Sequence, residues 1–345
     1  MNLACRYGTH RVIEPKGVLP QAAQKIDNNM EIFDNEILLD VTALNIDSAS
    51  FTQIANACDH DVEKIKKMIT DIVDDKGKMQ NPVTGSGGML IGRVKKIGPA
   101  LKDKVTIKEG DKIATLVSLS LTPLKIDKIK KIYPEIDRVE IEGSAILFES
   151  GIYAKLPDDM SENLALAALD VAGAPAQTAK LVRPGDKVLI VGGGGKSGMM
   201  CVYEAKKRVG PTGRVVALEG NEVVKERLAS LGFADEIIVA NAQDPMEVLE
   251  KALAANNGQE YDVSINVVNV PNAEMSCILP VRNGGTVYFF SMATSFTKAA
   301  LGAEGVGKDV TMIVGNGYTK DHAEITLEEL RESDKLRAIF EKLYL

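Results

Sequence analysis

Apolar residues are spaced in two ways along the 345-residue chain, and the change falls near Ser161. Before it, short runs alternate apolar with polar, as half-buried strands do. Residues 9–13, 36–44 and 89–97 read as strands between turns rich in Pro, Gly, Asn and Asp. Residues 109–114 read as a turn opening onto another strand, and 144–155 as two more. Between 61 and 73 the period switches: apolar residues at 62, 65, 68, 69, 72 and 73 share one helical face, with Lys and Asp on the other. The first part is therefore expected to be mostly antiparallel β with a helical insertion.

Beyond Ser161 the Ala/Leu-rich stretch 163–180 predicts a helix, and Pro184-Gly-Asp leads into the apolar run Lys187-Val-Leu-Ile-Val191. Strand patterns at 213–218, 236–240, 261–268, 286–290 and 309–314 then alternate with helical ones at 199–207, 223–231, 245–255 and 273–281. Gly232 is the natural C-cap of the second of these helices. Alternation at this spacing implies a doubly wound parallel sheet. Residues 324–345 form an amphipathic terminal helix. The expected division is a β-rich catalytic or substrate domain over 1–165 and a dinucleotide-binding domain over 166–317, with 318–345 returning to the first. No internal repeat or low-complexity tract is present.

The junction after Val191 carries the chemistry. Gly193, Gly195 and Gly198 satisfy G-x-G-x-x-G between strand and helix. The first permits the tight turn, the second lets backbone approach a pyrophosphate, and the third lets the helix pack close to the strand. Lys196 and Ser197 sit where the helix N-terminus offers free N–H groups to phosphates. Glu219 ends the next strand, about 20 residues past the last glycine, where a carboxylate accepts ribose hydroxyls and repels a 2′-phosphate. Gly220 and Asn221 follow it, with no adjacent arginine. The expected cofactor is NAD rather than NADP. Val268 and Asn269, and then Ser291 and Met292, follow later strands at the same sheet edge and complete the expected cofactor contacts, the last pair at the nicotinamide amide.

The net charge of −7 argues against nucleic acid or an anionic membrane as partner. Trp is absent and aromatics make up 5%, which removes a stacking platform for bases. No stretch is long and apolar enough to span a bilayer, and the N-terminus lacks a signal-peptide apolar core. Four scattered cysteines without a C-x-x-C pair point to reduced thiols in a cytoplasmic protein.

A β-rich first part followed by a glycine-loop nucleotide part is similar to the medium-chain dehydrogenase/reductase superfamily along nearly the whole chain, especially from Val215 through Asp235. Within it, residues 7–20, 81–92 and 190–198 resemble the diaminohexanoate dehydrogenase family. The resemblance implies a GroES-like N-terminal domain beside a Rossmann sheet, and NAD-dependent oxidative deamination of 3,5-diaminohexanoate. The products would be 5-amino-3-oxohexanoate and ammonium, within bacterial lysine fermentation. It also implies a homodimer through the edge strand at 309–317. Zinc-containing members of the superfamily carry a cysteine near Asn45, Gly-His-Glu near Gly85-Ser86-Gly87, and a further cysteine near 170–172. None of these is present, the four-cysteine structural lobe is missing, and His10, His60 and His322 form no cluster with the cysteines in sequence. A site without metal is expected.

An amine suits such a site. The lone pair of a neutral amine drives hydride out, and a base must first strip the ammonium. A nearby carboxylate would stabilise the resulting cation. Asp47, with Asn45 beside it, follows the strand where the superfamily lines its substrate cleft; the other reading of Asp47 is a cap for the next helix. Asp170, near the lost third ligand position, faces either pocket or solvent. Ser86 bonds substrate or belongs only to a glycine turn, and His10 is an acid/base group or a structural one. Arg6 and Arg11 are candidates to grip the substrate carboxylate bidentately, against surface placement. Two rival readings stay open: a zinc-independent quinone or enoyl reductase, and a non-catalytic NAD-binding protein.

Overall fold

The computed structural model describes residues 2–315 and 317–344. Met1, Asn316 and Leu345, which fall within the expected segments 1–165, 309–317 and 318–345, lie outside the described residues. The chain separates into two compact units, Met1–Asp158 and Asp159–Leu345.

The first unit is antiparallel. A short pair, β1 (Val12–Glu14) and β2 (Lys25–Ile26), precedes β3 (Glu36–Asn45), β4 (Met89–Ile97), β5 (Lys112–Thr115), β6 (Leu124–Tyr133), β7 (Arg138–Phe148) and β8 (Tyr153–Lys155). The last six form one sheet in the order β6-β7-β3-β4-β5-β8. Helices α1 (Ser48–Ala57) and α2 (Val62–Lys76) fill the excursion between β3 and β4. Asp61 caps α2 by accepting from the Glu63 and Lys64 amides, and Gly77 ends it in the left-handed region. Its Ile65, Ile69, Ile72 and Val73 join Leu39, Val41, Val94 and Ile113 in the core. Burying each such side chain contributes roughly 1.5–3 kcal/mol.

Two sequence expectations change here. Residues 9–11 form a 3-10 turn after Gly8, whose φ is +80°, and only Val12–Glu14 is strand. Strand β6 and the start of β7 carry no readable alternation, because β6 slips register against β7 at Ile126/Lys128 and again at Ile129/Lys131. Two bulges place its apolar residues at 124, 126, 129 and 132, so a period of two becomes a mixture.

The second unit begins with α3 (Glu162–Leu169) and α4 (Gly173–Leu181) and continues through β9 (Lys187–Val191), α5 (Lys196–Val209), β10 (Arg214–Glu219), α6 (Glu222–Leu231), β11 (Glu236–Val239) and α7 (Pro245–Ala255). It closes with β12 (Tyr261–Asn266), α8 (Glu274–Ile278), β13 (Val281–Phe289), α9 (Phe296–Gly305), β14 (Val310–Val314), α10 (His322–Glu332) and α11 (Asp334–Tyr344). All six strands are parallel, in the order β11-β10-β9-β12-β13-β14. Counted within the unit that order is 3-2-1-4-5-6, the doubly wound arrangement with its switch point beside β9. Both faces of the sheet are covered, which explains why Val188, Leu189, Ile190 and Val191 are all fully buried.

The helix expected over 163–180 is two helices. Pro175 has no N–H to donate and fits only the first turn of α4, so the helix restarts instead of running through. The terminal stretch likewise divides at buried Ser333, whose hydroxyl accepts from the Leu336 amide. The described terminal helices, expected to return to the β-rich part, pack within the second unit instead: α10 on α3, α4 and α5, and α11 on α3 and α5. Their apolar faces, including Leu327, Leu330, Leu336 and Phe340, are buried. Among the described residues no helix is long and apolar enough to cross a membrane.

Candidate functional site

Strand β9 delivers the chain to the glycine turn at the C-terminal edge of the parallel sheet. Gly192 takes φ +96°, which favours glycine, and the turn feeds directly into α5 with Gly195 at its N-cap. Each glycine of the motif has a steric reason. A Cβ on Gly198 would lie 2.0 Å from the Gly192 carbonyl oxygen, and one on Gly193 would lie 2.8 Å from the Ala217 Cβ. At Gly195 the nearest atom would be 3.8 Å away, so open space lies in front of the turn where a diphosphate requires it. The first amides of α5 have no carbonyl partner within the helix and carry the positive end of its dipole. These residues fit a dinucleotide.

Glu219, ending β10, faces the same turn. Its Oε1 accepts from the Gly194 amide at 2.5 Å and its Oε2 from the Gly220 amide at 3.2 Å. Beside it opens a cavity of about 400 Å³ bordered by Gly192, Glu219, Asn241, Gln243, Lys251 and Val268. Val268 thus lines the cavity, its amide bonded to the Asn266 Oδ1 at 3.2 Å, while Asn269 is exposed. The Ser291 hydroxyl accepts from the Ala293 amide, and Met292 is 89% exposed. Lys196 forms an ion pair with Asp170 at 2.9 Å and lies over the Tyr344 ring at 5.1 Å. The two candidates are therefore neighbours, and the carboxylate is more than half exposed. Ser197 is part of the first turn of α5.

Sequence reading missed Arg227. From α6 it donates through Nη2 to the Gly194 carbonyl at 2.9 Å. Eight residues separate it from Glu219, and only its position on a helix that backs the turn brings it there.

In the first unit, Asn45, Asp47 and the 81–88 loop come together. Gly88, at φ +99°, is pressed so close to the end of β3 that a Cβ would lie 2.1 Å from the Asn45 oxygen and 2.8 Å from the Asp47 amide. Asn81 organises the loop. Its Oδ1 accepts from the Val83 and Thr84 amides, and its Nδ2 donates to the Ser50 carbonyl and the Gln53 side chain. Asp47 caps α1, its Oδ1 accepting from the Ser50 amide at 3.2 Å. Its Oδ2 and the Asn45 Oδ1 are shielded from solvent and have no hydrogen-bond partner. Each is an unsatisfied acceptor two residues from the other in sequence, and each could take a hydrogen bond from a donor-rich group. Ser86 lies in the glycine loop, its amide bonded to the Thr84 hydroxyl at 3.3 Å.

Arg11 and His10 are corrected. Arg11 is 2% exposed and binds buried Glu36 through Nε at 2.8 Å and Nη2 at 2.7 Å. Its remaining donors reach the Asn29 and Glu31 carbonyls. The guanidinium fork already holds a carboxylate from its own chain. His10 Nε2 meets the same Glu36 at 2.8 Å, with the ring packed edge-on to Phe33 and Phe148. Burial acts to raise the Glu36 pKa, but the bonds from Arg11, the Phe33 amide and His10 outweigh it and hold the carboxyl below its usual range. Arg6 is exposed, its guanidinium over the Tyr7 ring at 5.3 Å. Among the described residues no group of three or more His, Cys, Asp or Glu is placed to hold a metal ion.

The comparisons agree with this geometry. Among solved structures, an alcohol dehydrogenase from Thermus sp. ATN1 is 18% identical, with TM-score 0.54 over 92% of this chain and 88% of its own. An alcohol dehydrogenase from Thermotoga maritima is 16% identical, with TM-score 0.54 over 90% and 85%. Both establish the medium-chain dehydrogenase fold and nothing finer. Residues 10–157 match the model of the L-erythro-3,5-diaminohexanoate dehydrogenase N-terminal domain. Two curated proteins named L-erythro-3,5-diaminohexanoate dehydrogenase align end to end. That of Acetoanaerobium sticklandii is 73% identical over 99% of both chains, and that of Fusobacterium nucleatum 68% over 100% of both. With its N-terminal domain matched and both relatives aligned over nearly its whole length, the chain belongs to the L-erythro-3,5-diaminohexanoate dehydrogenase family.

Proposed function

We propose that this oxidoreductase is an NAD-dependent amine dehydrogenase that oxidatively deaminates L-erythro-3,5-diaminohexanoate at its 3-amino carbon. The substrate ammonium, NAD⁺ and water give 5-amino-3-oxohexanoate, ammonium, NADH and one proton. The proposal places the reaction in lysine fermentation, in the cytoplasm, carried out by a homodimer. The observation that carries it is Glu219, an ionisable acceptor fixed on the Gly194 amide at the mouth of the 400 Å³ cavity. A carboxylate there favours an unphosphorylated ribose.

When bound, the dinucleotide supplies the hydride acceptor. The chain's own residues do the rest. The amides at the start of α5, with Lys196 and Ser197, hold the diphosphate, and Gly193, Gly195 and Gly198 leave room for it. Val268 and Asn269, followed by Ser291 and Met292, line the remainder of the cofactor. In the first unit, Asn45 Oδ1 and Asp47 Oδ2 accept from the substrate ammonium, and Asp47 takes the proton that must leave before the lone pair is free. Ser86 adds a hydroxyl to the same corner. With Arg11 committed to Glu36, Arg6 remains for the substrate carboxylate. Asp170 positions Lys196 and takes no part in proton transfer.

The test is turnover of purified protein with 3,5-diaminohexanoate and NAD at mildly alkaline pH. NADH and ammonium should appear one to one. Reduction of quinones or enoyl thioesters without amine oxidation, or turnover with NADP alone, would overturn the proposal.

A further inference from the structure

The glycine turn is held from behind as well as filled from the front, and the residue that holds it belongs to no known motif. We propose that Arg227 is a positioning residue of the dinucleotide site, fixing the Gly194–Gly195 peptide so that the turn keeps its diphosphate-binding shape before cofactor arrives. This rests on the reading of the turn as a dinucleotide site.

Gly194 is gripped at both ends. Its N–H donates to Glu219 from β10, and its carbonyl accepts from Arg227 Nη2 of α6 at 2.9 Å. The two bonds fall on different peptide planes, 193–194 and 194–195, so the planes on both sides of Gly194 are held and the amides that follow stay aimed as they are. Contact between helix and turn is close: a Cβ on Gly194 would lie 2.2 Å from the Val224 Cγ1. Arg227 Nε, meanwhile, is shielded from solvent without a partner. A buried donor left unsatisfied is costly, and a residue selected for stability alone would not be a guanidinium here. Two cations act on Tyr344. Lys196 lies over its ring, and the charge of Arg227 opposes the burial that raises its hydroxyl pKa.

The experiment measures binding of NADH, ADP and adenosine to wild type, R227M and R227K by calorimetry. Loss of a charge-assisted hydrogen bond predicts that R227M weakens NADH and ADP by about tenfold or more. Adenosine, which has no phosphate, should bind as to wild type. R227K, keeping one charged donor, should recover most of the loss. If R227M does not fold, R227Q takes its place with the same expected pattern. NADH affinity unchanged in a folded variant, or adenosine weakened as much as ADP, overturns the inference while leaving the dinucleotide reading intact. Wild type that binds no NADH overturns both.

Discussion

Glu329 allows a prediction about stability that is independent of any ligand. It sits on α10 at 0% exposure with neither carboxylate oxygen bonded. Glu204 on α5 is equally buried, its Oε1 accepting from Arg208 Nε at 2.6 Å and its Oε2 without a partner. Burial first, then the charge of Glu204 and of Glu332, raise the Glu329 pKa well above its usual value, against opposing contributions from Lys207 and Arg208. The folded chain thus holds a proton on Glu329 that the unfolded chain releases above about pH 4.3. In that window the native state binds more protons, so stability falls as pH rises, by about 1.4 kcal/mol per pH unit, until the folded pKa is reached. E329Q has no proton to lose. Urea unfolding at pH 5, 6 and 7 should show the variant gaining on wild type as pH rises, by at most about 1.4 kcal/mol per unit while Glu329 keeps its proton in the folded chain. The slope decides the matter, since an uncharged amide brings its own fixed packing cost. Parallel stability curves for wild type and E329Q would refute the reasoning.

Four further outcomes follow from geometry already given. G198A forces a methyl to within 2.0 Å of the Gly192 oxygen, so it should lose NADH binding and about 1–3 kcal/mol of stability; normal NADH affinity in G198A contradicts the packing argument. E219S removes the acceptor for the ribose and should weaken NAD by roughly tenfold to a hundredfold while improving NADP relative to it; an unchanged preference would mean the ribose contact is misassigned. D47N keeps a capping oxygen but cannot accept a proton, so kcat should collapse with the melting temperature held, whereas D47A should also lose about 1 kcal/mol; full turnover by D47N removes Asp47 from proton transfer. R11M strands Glu36 and should cost about 3–5 kcal/mol; a raised KM for the amine with normal stability would restore Arg11 to the substrate site.

Much of the second unit was legible because its signals are local. An apolar run, a glycine turn and an acid at the next strand end each state their own geometry, and Glu219 lies where its spacing put it. The first unit hid more. Strand β6 went unread because its two bulges break the period on which strand recognition depends. Arg11 was read as available because nothing local says that Glu36, twenty-five residues on, will close on it. Asp47 was legible as a cap from its place before a helix, but its unpaired second oxygen is a fact of tertiary packing. Arg227 gave no signal at all. A helix position facing a turn is decided by how α6 lies on β10, which no spacing rule encodes.

The two edges named above have opposite characters. Strand β6 borders the antiparallel sheet with Lys125, Asp127, Lys128, Lys130 and Lys131 exposed, a fence of charge that repels an incoming strand and guards against aggregation. Strand β14, at the rim of the parallel sheet, is Val-Thr-Met-Ile-Val, with no charge and with Val314 half exposed. One border is closed to β-addition and the other is not. Should two copies of this chain pair along β14, a lysine placed at Met312 would be enough to shut that seam.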